Sequence, residues 1–541
     1  MARGYRPVDR EQPFLLPPSM TDWLPADHLV WFVIDAVGQL DTAAFHRRAR
    51  LGGVGRRGFD PDMLVTLLVY AMAQGLRSSR RIEALCRTDV ALRIICAGDV
   101  PDHTVIARFR RDHEAALGDL LTASLLLCAR LGMLRLGVVA LDGVKIAANA
   151  SRDANRGEAS LRRLAVEHLA AAAATDQAED TLFGPGRRGD EIPEKLHDRT
   201  RRGTRIRQAL DEITAQTAAR AAAQAAARAT ATDYQDRQQT AALTGGRAPT
   251  GRRPKTLDPV TAAKARWDKE RVRHQARIDD WHARYAATGR KPSRRTPVPA
   301  DQYCRVRDAK AAYDTALAAS TKNTGSTSQD TNDTNDTNDG NAGNAGRRSR
   351  QPPRANLTDP QSRRMHTRNG WIQGYNCQTA TSHDRFILHA NATQDANDFQ
   401  QFIPTLTALT QLTHHLNTIT GRDDLTIGTL LADAGYDSTT NLTTPGPARL
   451  IPNRWHRKLT PPTQPPPPEA TERERLDHEL TTPAGKALYR QRSPQAETSH
   501  AWLKDHRQLR HFTRRGLTAA HHEIRFAAAV TNLLRLRTLT T

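Results

Sequence analysis

Apolar residues recur every three to four positions through the first third of the chain. One such stripe runs from Leu29 to Leu40 in "ADHLVWFVIDAVGQL", which predicts an amphipathic helix. In "FDPDMLVTLLVYAMAQG", Asp60 is a predicted N-cap, Pro61 takes the first helical position and Gly75 marks the end. Residues 20–130 are therefore predicted to be helical.

The last predicted helix of this region, in "HTVIARFRRDHEAAL", is basic. Arg108, Arg110 and Arg111 cluster at one of its turns. Short helices that end in a basic helix are typical of helix-turn-helix domains, which bind DNA. A helical bundle with a basic, solvated face fits the same pattern equally well. We predict an all-α N-terminal domain over residues 1–130, with the three arginines as candidate DNA contacts.

Further along, the apolar positions form short runs that are typical of strands. Residues 138–141 form one run, which ends at Asp142, and residues 425–431 form another, which ends near Asp433. Between them, "GWIQGYNCQTAT" and "DRFILHANATQ" predict a hairpin, and a helix follows from Phe402. This order predicts an α/β core whose acids converge at strand ends, where α/β folds place their sites.

The segment 152–350 differs in composition from both flanks. It contains Ala-rich and charged stretches that predict helices, followed by the repeat "TNDTNDTND". Such a polar repeat cannot bury enough apolar surface to offset the entropy of ordering, so disorder is predicted over about 320–350. We interpret the segment as a helical, partly disordered insertion without a catalytic role.

The chain ends in a helical region, 482–541, that contains "YRQRSPQAETSHAWLK". Ser493 is a predicted N-cap, with Pro494 at the first helical position. That placement puts Glu497 in about the first turn of the helix. Lys504 lies seven residues later and is predicted to share its face.

Charge and cysteine content narrow the class of protein. The formal net charge is +21, which favours a polyanionic partner such as nucleic acid over a basic surface that only aids solubility. The five cysteines show no CxxC spacing, which fits a reducing compartment and neither a disulfide framework nor a zinc module. Without a run of about 18 apolar residues, we expect a soluble, cytoplasmic protein.

Three acids stand out as candidate metal ligands. Asp142 and Asp433 both follow apolar runs and have small neighbours, although either one alone is typical of an ordinary turn. Together with Glu497 they provide the oxygen ligands that Mg²⁺ prefers. Three carboxylates can hold two such ions roughly 4 Å apart, an arrangement that supports in-line displacement at a phosphodiester. A single acid in a basic helix fits this role, because the surrounding cations contact the phosphates.

Five motifs, in this order, carry a resemblance to a known family: "ALDGVKIAANAS", "DPQSRRM", "GWIQGYNCQTA", "LLADAGYDS" and "YRQRSPQAETSHAWLK". Together they resemble bacterial insertion-sequence transposases of the DDE class, in the subgroup whose RNase H-like core is split by a large insertion. "LLPPSMTDWLPADHLVWFVIDAVGQLD" and "PDHTVIARFRRDH" are similar to the N-terminal domain of that subgroup.

The resemblance implies an RNase H-like mixed sheet flanked by helices. The implied division is an N-terminal domain over 1–130, a first part of the core over 131–155, an insertion over 156–355 and a second part of the core over 356–541. It also implies that Asp142, Asp433 and Glu497 are the catalytic, metal-binding acids. Two Mg²⁺ ions are the implied cofactors, with Mn²⁺ as a substitute.

The signature helix of the family has four characteristic residues, which match Tyr489, Arg492, Glu497 and Lys504. In related transposases the basic and aromatic members contact the terminal DNA of the element. Four residues separate Arg492 from Glu497, where the general signature has three, and Gln361 stands where an Asp is usual. We keep the assignment and give Gln361 no catalytic role.

Other candidate ligands fit less well. Asp437 lies beyond the apolar run that ends near Asp433, and Asp505 points about 100° away from Lys504. Adjacent histidines face different ways on a helix and have no cysteine nearby, which disfavours zinc at the two pairs. These pairs are His414, His415, His521 and His522.

The leading hypothesis is a nucleoid-associated transposase that binds terminal inverted repeats and target DNA. It would cleave phosphodiesters with metal ions and transfer a 3′-OH strand, as a homodimer on double-stranded DNA. One alternative is a catalytically silent, transposase-derived DNA-binding protein or repressor. Another is a metal-dependent nuclease without strand transfer.

Overall fold

The computed structural model describes residues 19–47, 58–183, 194–243, 259–292, 296–323, 352–453 and 465–540. The chain divides into two compact units, Met1–Glu212 with Arg354–Thr541, and Ile213–Pro353. The disorder predicted for about 320–350 lies outside the described residues, except that residues 320–323 end a helix. None of the described helices has the length and apolarity that a membrane crossing needs.

The first unit begins with seven helices, as the apolar stripes predict. They are α1 Leu29–Gly38, α2 Ala43–His46, α3 Pro61–Ala73, α4 Ser79–Thr88, α5 Val90–Ile95, α6 His103–Asp112 and α7 Glu114–Arg130. The predicted signals at the ends of α3 are confirmed. Asp60 accepts a hydrogen bond from the Asp62 N–H, Pro61 is the first helical residue, and Gly75 has a φ of 70°. A left-handed residue just after a helix favours glycine, which explains where α3 stops.

A mixed sheet lies at the centre of this unit. Its strands are β1 Gly137–Ala147, β4 Arg363–Thr367, β5 Gly370–Ser382, β6 Ile387–Thr393, β7 Ile427–Leu431 and β8 Ala448–Leu450. The order is β4-β5-β1-β7-β8, and β6 also pairs with β5. β1 is antiparallel to β5 and parallel to β7, while the predicted hairpin is β5 with β6. The predicted RNase H-like fold class is confirmed.

Further helices belong to this unit, and two short strands form a separate ladder. The helices are α8 Glu158–Phe183, α12 Phe402–Thr420, α13 Thr439–Thr443, α14 Glu472–Glu479, α15 Pro483–Arg490, α16 Arg492–Ala501 and α17 Leu517–Thr540. α16 packs on β1 and β5, whereas α17 packs on β6 and along α7. The ladder joins β2 Asn155–Gly157 to β3 Arg354–Asn356 in antiparallel register. All five cysteines are free thiols.

The second unit is helical. It contains most of α9 Glu194–Leu243, and then α10 Pro259–Thr288 and α11 Cys304–Asn323. Rings pair between its last two helices, where Trp267 stacks on Tyr313 with ring centroids 5.6 Å apart. His274 stacks on Tyr303 with centroids 4.1 Å apart. These contacts hold α10 and the start of α11 together through aromatic side chains on otherwise polar helices.

Two local predictions are wrong. Asp142 lies within β1 and not at its end, because pairing with β5 carries the strand on to Ala147. Ser493 is not an N-cap, because α16 begins at Arg492 after a single helical residue that follows α15. Residues Trp502–His506 then form a π-helical turn, which shifts the 3.6-residue register that would align Glu497 with Lys504.

Acid is expected to destabilise the layer in which α17 covers β6. Burial lowers the pKa of His389 to about 4 from 6.5, and the nearby Arg525 and His521 lower it further. The unfolded chain therefore binds more protons between these pH values, so the free energy of unfolding falls as the pH drops from 6.5 to 4. Denaturant titrations at pH 7 and pH 4 measure this fall in the free energy of unfolding. The fall is expected to be smaller in His389→Gln than in the wild type, by on the order of 2 kcal/mol. The exposed His415→Gln is the control, and an unchanged pH dependence in His389→Gln would contradict the assignment.

Candidate active site

Asp142 is the best-defined acid of the site. It lies in the central strand β1, opposite Thr379 of β5. β7 pairs with β1 only from Gly137 to Ala140, so no described strand lies beside that edge of β1 at Asp142. The side chain is 21% exposed, which leaves the carboxylate reachable from this open edge.

The helix α16 presents two basic side chains to Asp142. Arg492 Nη1 lies 3.6 Å from Asp142 Oδ2, and His500 Nδ1 lies 3.8 Å from the same oxygen. His500 Nε2 is 2.9 Å from Thr379 Oγ1, and that hydroxyl donates to the Asp142 carbonyl at 3.3 Å. Arg492 Nη1 is buried and has no hydrogen-bond partner. One face of α16 is thus fixed against the strand that carries the first acid.

Burial and neighbouring charges set the ionisation of this cluster. Burial raises the pKa of Asp142 to about 6, Arg492 opposes the shift, and Asp433 and Asp398 add to it. Burial lowers the pKa of His500 to about 4, with Lys504 and Arg492 lowering it further. At neutral pH the imidazole is therefore uncharged, which leaves Arg492 as the closer cation to Asp142.

Asp433 enters the site from a short turn after β7. It caps the 3-10 turn Ala434–Tyr436, and its Oδ1 accepts the Gly435 N–H at 2.8 Å. Gly435 permits this close approach, because a Cβ there would lie 2.9 Å from Asp433 Oδ1. The carboxylate is near enough to Asp142 to raise the pKa of that residue. The structure thus brings together two of the three predicted acids.

Glu497 is not brought into contact with them. Its Oε1 accepts the Ser493 hydroxyl at 2.5 Å, and the residue is exposed. It follows Ala496, which is buried against the core, and consecutive helical residues point about 100° apart. Glu497 therefore lies beside the face that meets Asp142.

Three residues of the predicted signature interact with the acids. Arg492 lies over the Tyr489 ring at 6.0 Å. Burial raises the pKa of the Tyr489 hydroxyl, Arg492 opposes the shift, and the nearby Asp433 and Asp142 add to it. Burial, followed by Arg510, lowers the pKa of Lys504, while Asp142 is among the acids that oppose this. These side chains form a basic and aromatic border next to the acids.

The three arginines of α6 do not share one environment. Arg108 and Arg111 are exposed. Arg110 turns inward and donates from Nη1 to the Arg77 carbonyl at 2.8 Å, and burial lowers the pKa of its guanidinium. DNA contact stays a prediction for Arg108 and Arg111, and we do not carry it forward for Arg110.

The competing acids and one of the four histidines have other partners. Asp437 pairs with Arg473 at 3.2 Å, and Asp505 pairs with Arg510. His521 Nδ1 lies 2.8 Å from Asn391 Oδ1. In the described part of the chain, the tight groups of metal-capable side chains are His46, Asp60 and Asp62, and Glu83, Asp102 and His103. Neither group includes a member of the two histidine pairs.

Sequence reasoning missed Asp398 and the amides around it. Asp398 precedes α12, and its Oδ1 accepts from Asn376 Nδ2 at 2.8 Å and from Gln378 Nε2 at 2.7 Å. Gln378 Oε1 in turn accepts the Tyr436 hydroxyl. Asn376 and Gln378 alternate along a strand that is buried from Gln373 to Ser382, and such paired buried amides could have signalled a polar partner.

The donor set fits a hard divalent cation. Asp142 and Asp433 offer carboxylate oxygens, the ligands that Mg²⁺ prefers. A Cβ at Gly143 would lie 2.3 Å from Asp398 Oδ1. The Asp398 carboxylate can therefore approach β1 only because residue 143 has no side chain. Burial, with smaller contributions from Asp433 and Asp398, raises the pKa of Asp142 and disfavours its ionised form, and a bound cation would favour that form.

Comparison with known families gives two matches. Residues 18–112 match a family model described as a transposase domain, which covers the helices from α1 to α6. Residues 463–537 match a model described as a transposase DDE domain, which contains Tyr489, Arg492, Glu497 and Lys504. Asp142 and Asp433 lie outside both matches. No curated protein and no solved structure matches the chain.

The two matches occur in the order that the motifs predict, one at each end of the chain. The C-terminal match covers the helix that lies against Asp142, within a mixed sheet consistent with an RNase H-like fold. The family prediction is therefore confirmed to this extent: both matches support an insertion-sequence transposase of the DDE class.

Proposed function

We propose that this transposase binds the ends of its element, cleaves phosphodiesters there with bound metal ions, and transfers the strand into target DNA. One observation carries the proposal. Tyr489 and Arg492 of the signature helix lie beside Asp142 and Asp433, which come from two other segments of the chain. Basic side chains for a DNA backbone thus border acids suited to a cation.

Asp142, Asp433 and Glu497 would hold the metal. Bound Mg²⁺ would lower the pKa of the attacking water or 3′-OH and stabilise charge on the departing oxygen. Mn²⁺ has the same preference for oxygen ligands and is the expected substitute. Glu497 is exposed and accepts the Ser493 hydroxyl, and release from that hydroxyl would free its carboxylate.

The basic residues of the signature helix would position DNA. Arg492 Nη1 lies 3.6 Å from Asp142 Oδ2 and makes no hydrogen bond to the described residues, so a phosphate oxygen bound beside Asp142 would accept from it. Lys504 adds a second cation on the same segment. The Tyr489 ring supports the Arg492 guanidinium and offers a hydroxyl to the backbone. These groups need no metal to bind DNA, so binding and cleavage should separate in variants.

The partners follow from the reaction. A net charge of +21 favours association with double-stranded DNA, at both the terminal repeats and the target. Two ends must be cut and joined together, so we propose a homodimer on DNA. The compartment that fits this substrate is the nucleoid-containing cytoplasm.

A donor plasmid tests the proposal. It should carry the DNA that flanks the reading frame on both sides, and be incubated with the full-length protein, a target plasmid and Mg²⁺. Joined donor–target products are expected. If the plasmid is cut but not joined, the protein is a metal-dependent nuclease without strand transfer. If the DNA is bound but not cut, the protein is a catalytically silent, transposase-derived DNA-binding protein.

Glu497→Gln separates catalysis from binding. The change preserves shape but removes one negative charge from the metal-binding acids, so cleavage of the donor plasmid should fall roughly 100-fold while affinity for end DNA is kept. Asp437→Asn is the matched control, because Asp437 is an acid engaged by Arg473. Full cleavage by Glu497→Gln would remove it from the ligand set.

Lys504→Ala tests the phosphate contact. Loss of one such contact should flatten the slope of log affinity against log salt concentration by about one unit. The exposed Lys486 on α15 is the comparison, and Lys486→Ala should leave the slope of end-DNA binding unchanged. Equal slopes for the wild type and Lys504→Ala would place this lysine away from the DNA backbone.

A further inference from the structure

Asp398 belongs to the same edge of the sheet as the predicted acids but reaches it from the other face. Side chains alternate across a strand, so Asp142 shares a face with Thr379, and Gly143 shares the opposite face with Gln378. Asp398 approaches on that second face, with Oδ1 at 2.3 Å from where a Gly143 Cβ would sit. Because β7 no longer pairs with β1 beyond Ala140, groups from both faces can meet at this edge.

The two oxygens of Asp398 have different surroundings. Oδ1 accepts two amide hydrogen bonds, from Asn376 and Gln378. Oδ2 has no hydrogen-bond partner among the described residues and faces the turn that carries Asp433. A Cβ at Gly435 would lie 3.5 Å from Asp398 Oδ2 and 2.9 Å from Asp433 Oδ1, so both oxygens border the same small space. One oxygen is therefore anchored and the other is directed toward the second acid.

The anchor itself contains an unused hydrogen-bond acceptor. Asn376 is 1% exposed, and its Oδ1 has no hydrogen-bond partner among the described residues, although its Nδ2 donates to Asp398. A buried amide oxygen without a partner costs free energy unless something donates to it. Water on a bound cation would supply that donor. Asn376 thus points to a hydrated ligand next to the Asp398 carboxylate.

The anchor also connects Asp398 to the turn of Asp433. Tyr436 ends that turn and donates its hydroxyl to Gln378, whose amide donates to Asp398. The Tyr436 side chain is almost fully buried, so the connection is rigid. A cation held between the two acids would find both oxygens pre-positioned.

We propose that Asp398 is a fourth carboxylate of the metal site, binding the cation together with Asp142 and Asp433. The inference rests on the proposed function, because it adds a ligand to the same site. It explains how a cation binds with Glu497 still held by Ser493. The reacting DNA would then recruit Glu497 to a site already held by three aspartates.

Calorimetric titration of MnCl₂ into the full-length protein at pH 8 tests the proposal without relying on catalysis. Asp398→Asn keeps the size and one oxygen but removes the charge, and should weaken Mn²⁺ binding at least about tenfold. Asp395→Asn is the matched control, because Asp395 lies three residues earlier and is bonded by Gln401 at 2.6 Å. It removes the same charge and should keep the wild-type affinity.

The outcomes separate the two claims. If Asp142→Asn and Asp433→Asn lose Mn²⁺ affinity but Asp398→Asn behaves like Asp395→Asn, the fourth ligand is refuted and the proposed function stands. If the wild type binds no Mn²⁺, or binds it independently of Asp142 and Asp433, the metal site itself is refuted.

A second measurement uses the wild-type chain, in case Asp398→Asn does not fold. Fe²⁺ bound in place of Mn²⁺, with ascorbate and peroxide, generates hydroxyl radicals that cut nearby backbone. Mass spectrometry should find cuts near residues 142, 433 and 398. Cuts at the first two positions without any between residues 395 and 401 would overturn the assignment of Asp398.

Discussion

The antiparallel pairing of β1 with β5 is the interaction on which the site depends. It runs from Val139 opposite Ser382 to Ala147 opposite Gly374, between segments that are separated in the chain by all of the second unit. A ladder of backbone hydrogen bonds fixes the register of the two strands, and so the position of every side chain along them. Asp142 is thereby set opposite Thr379, and Gly143 opposite Gln378, which places acids and their supporting groups on both faces of one edge.

Charge balance at this edge depends on the helix that crosses it. Burial, with Asp433 and Asp398 adding to it, raises the cost of ionising Asp142, and Arg492 offsets part of that cost at 3.6 Å from Asp142. His500 contributes packing and a contact to Thr379 but no charge, because burial lowers the pKa of its imidazole to about 4. The remaining negative charge favours a cation, and the border of Tyr489 and Lys504 favours a phosphate backbone.

The N-terminal helices hold the end of this crossing helix in place. Arg507, just after the π-helical turn, donates from Nη1 to the Ala73 carbonyl at 2.6 Å. Arg77 donates from Nη1 to the Gln508 carbonyl at 2.6 Å, and its other amine pairs with Glu523. Both arginine side chains are largely buried, and a buried charge is strongly destabilising once its partners are lost. The domain with candidate DNA contacts is therefore physically tied to the helix that carries the signature.

The sequence by itself determined the elements and the family. Helical stripes, the Asp60–Pro61 start of α3 and the short apolar runs at β1 and β7 follow from local periodicity and capping, which need no distant partner. Only the tertiary structure decided how far β1 extends past Asp142, that Arg110 turns inward, that Glu497 is exposed and bonded to Ser493, and that Asp398 reaches the edge of the sheet at Gly143. Each of these depends on strands and helices that are remote in the chain, so no local pattern encodes it. Asp398 shows the reason most clearly, because its anchors Asn376 and Gln378 come from another strand and its open oxygen faces a third segment.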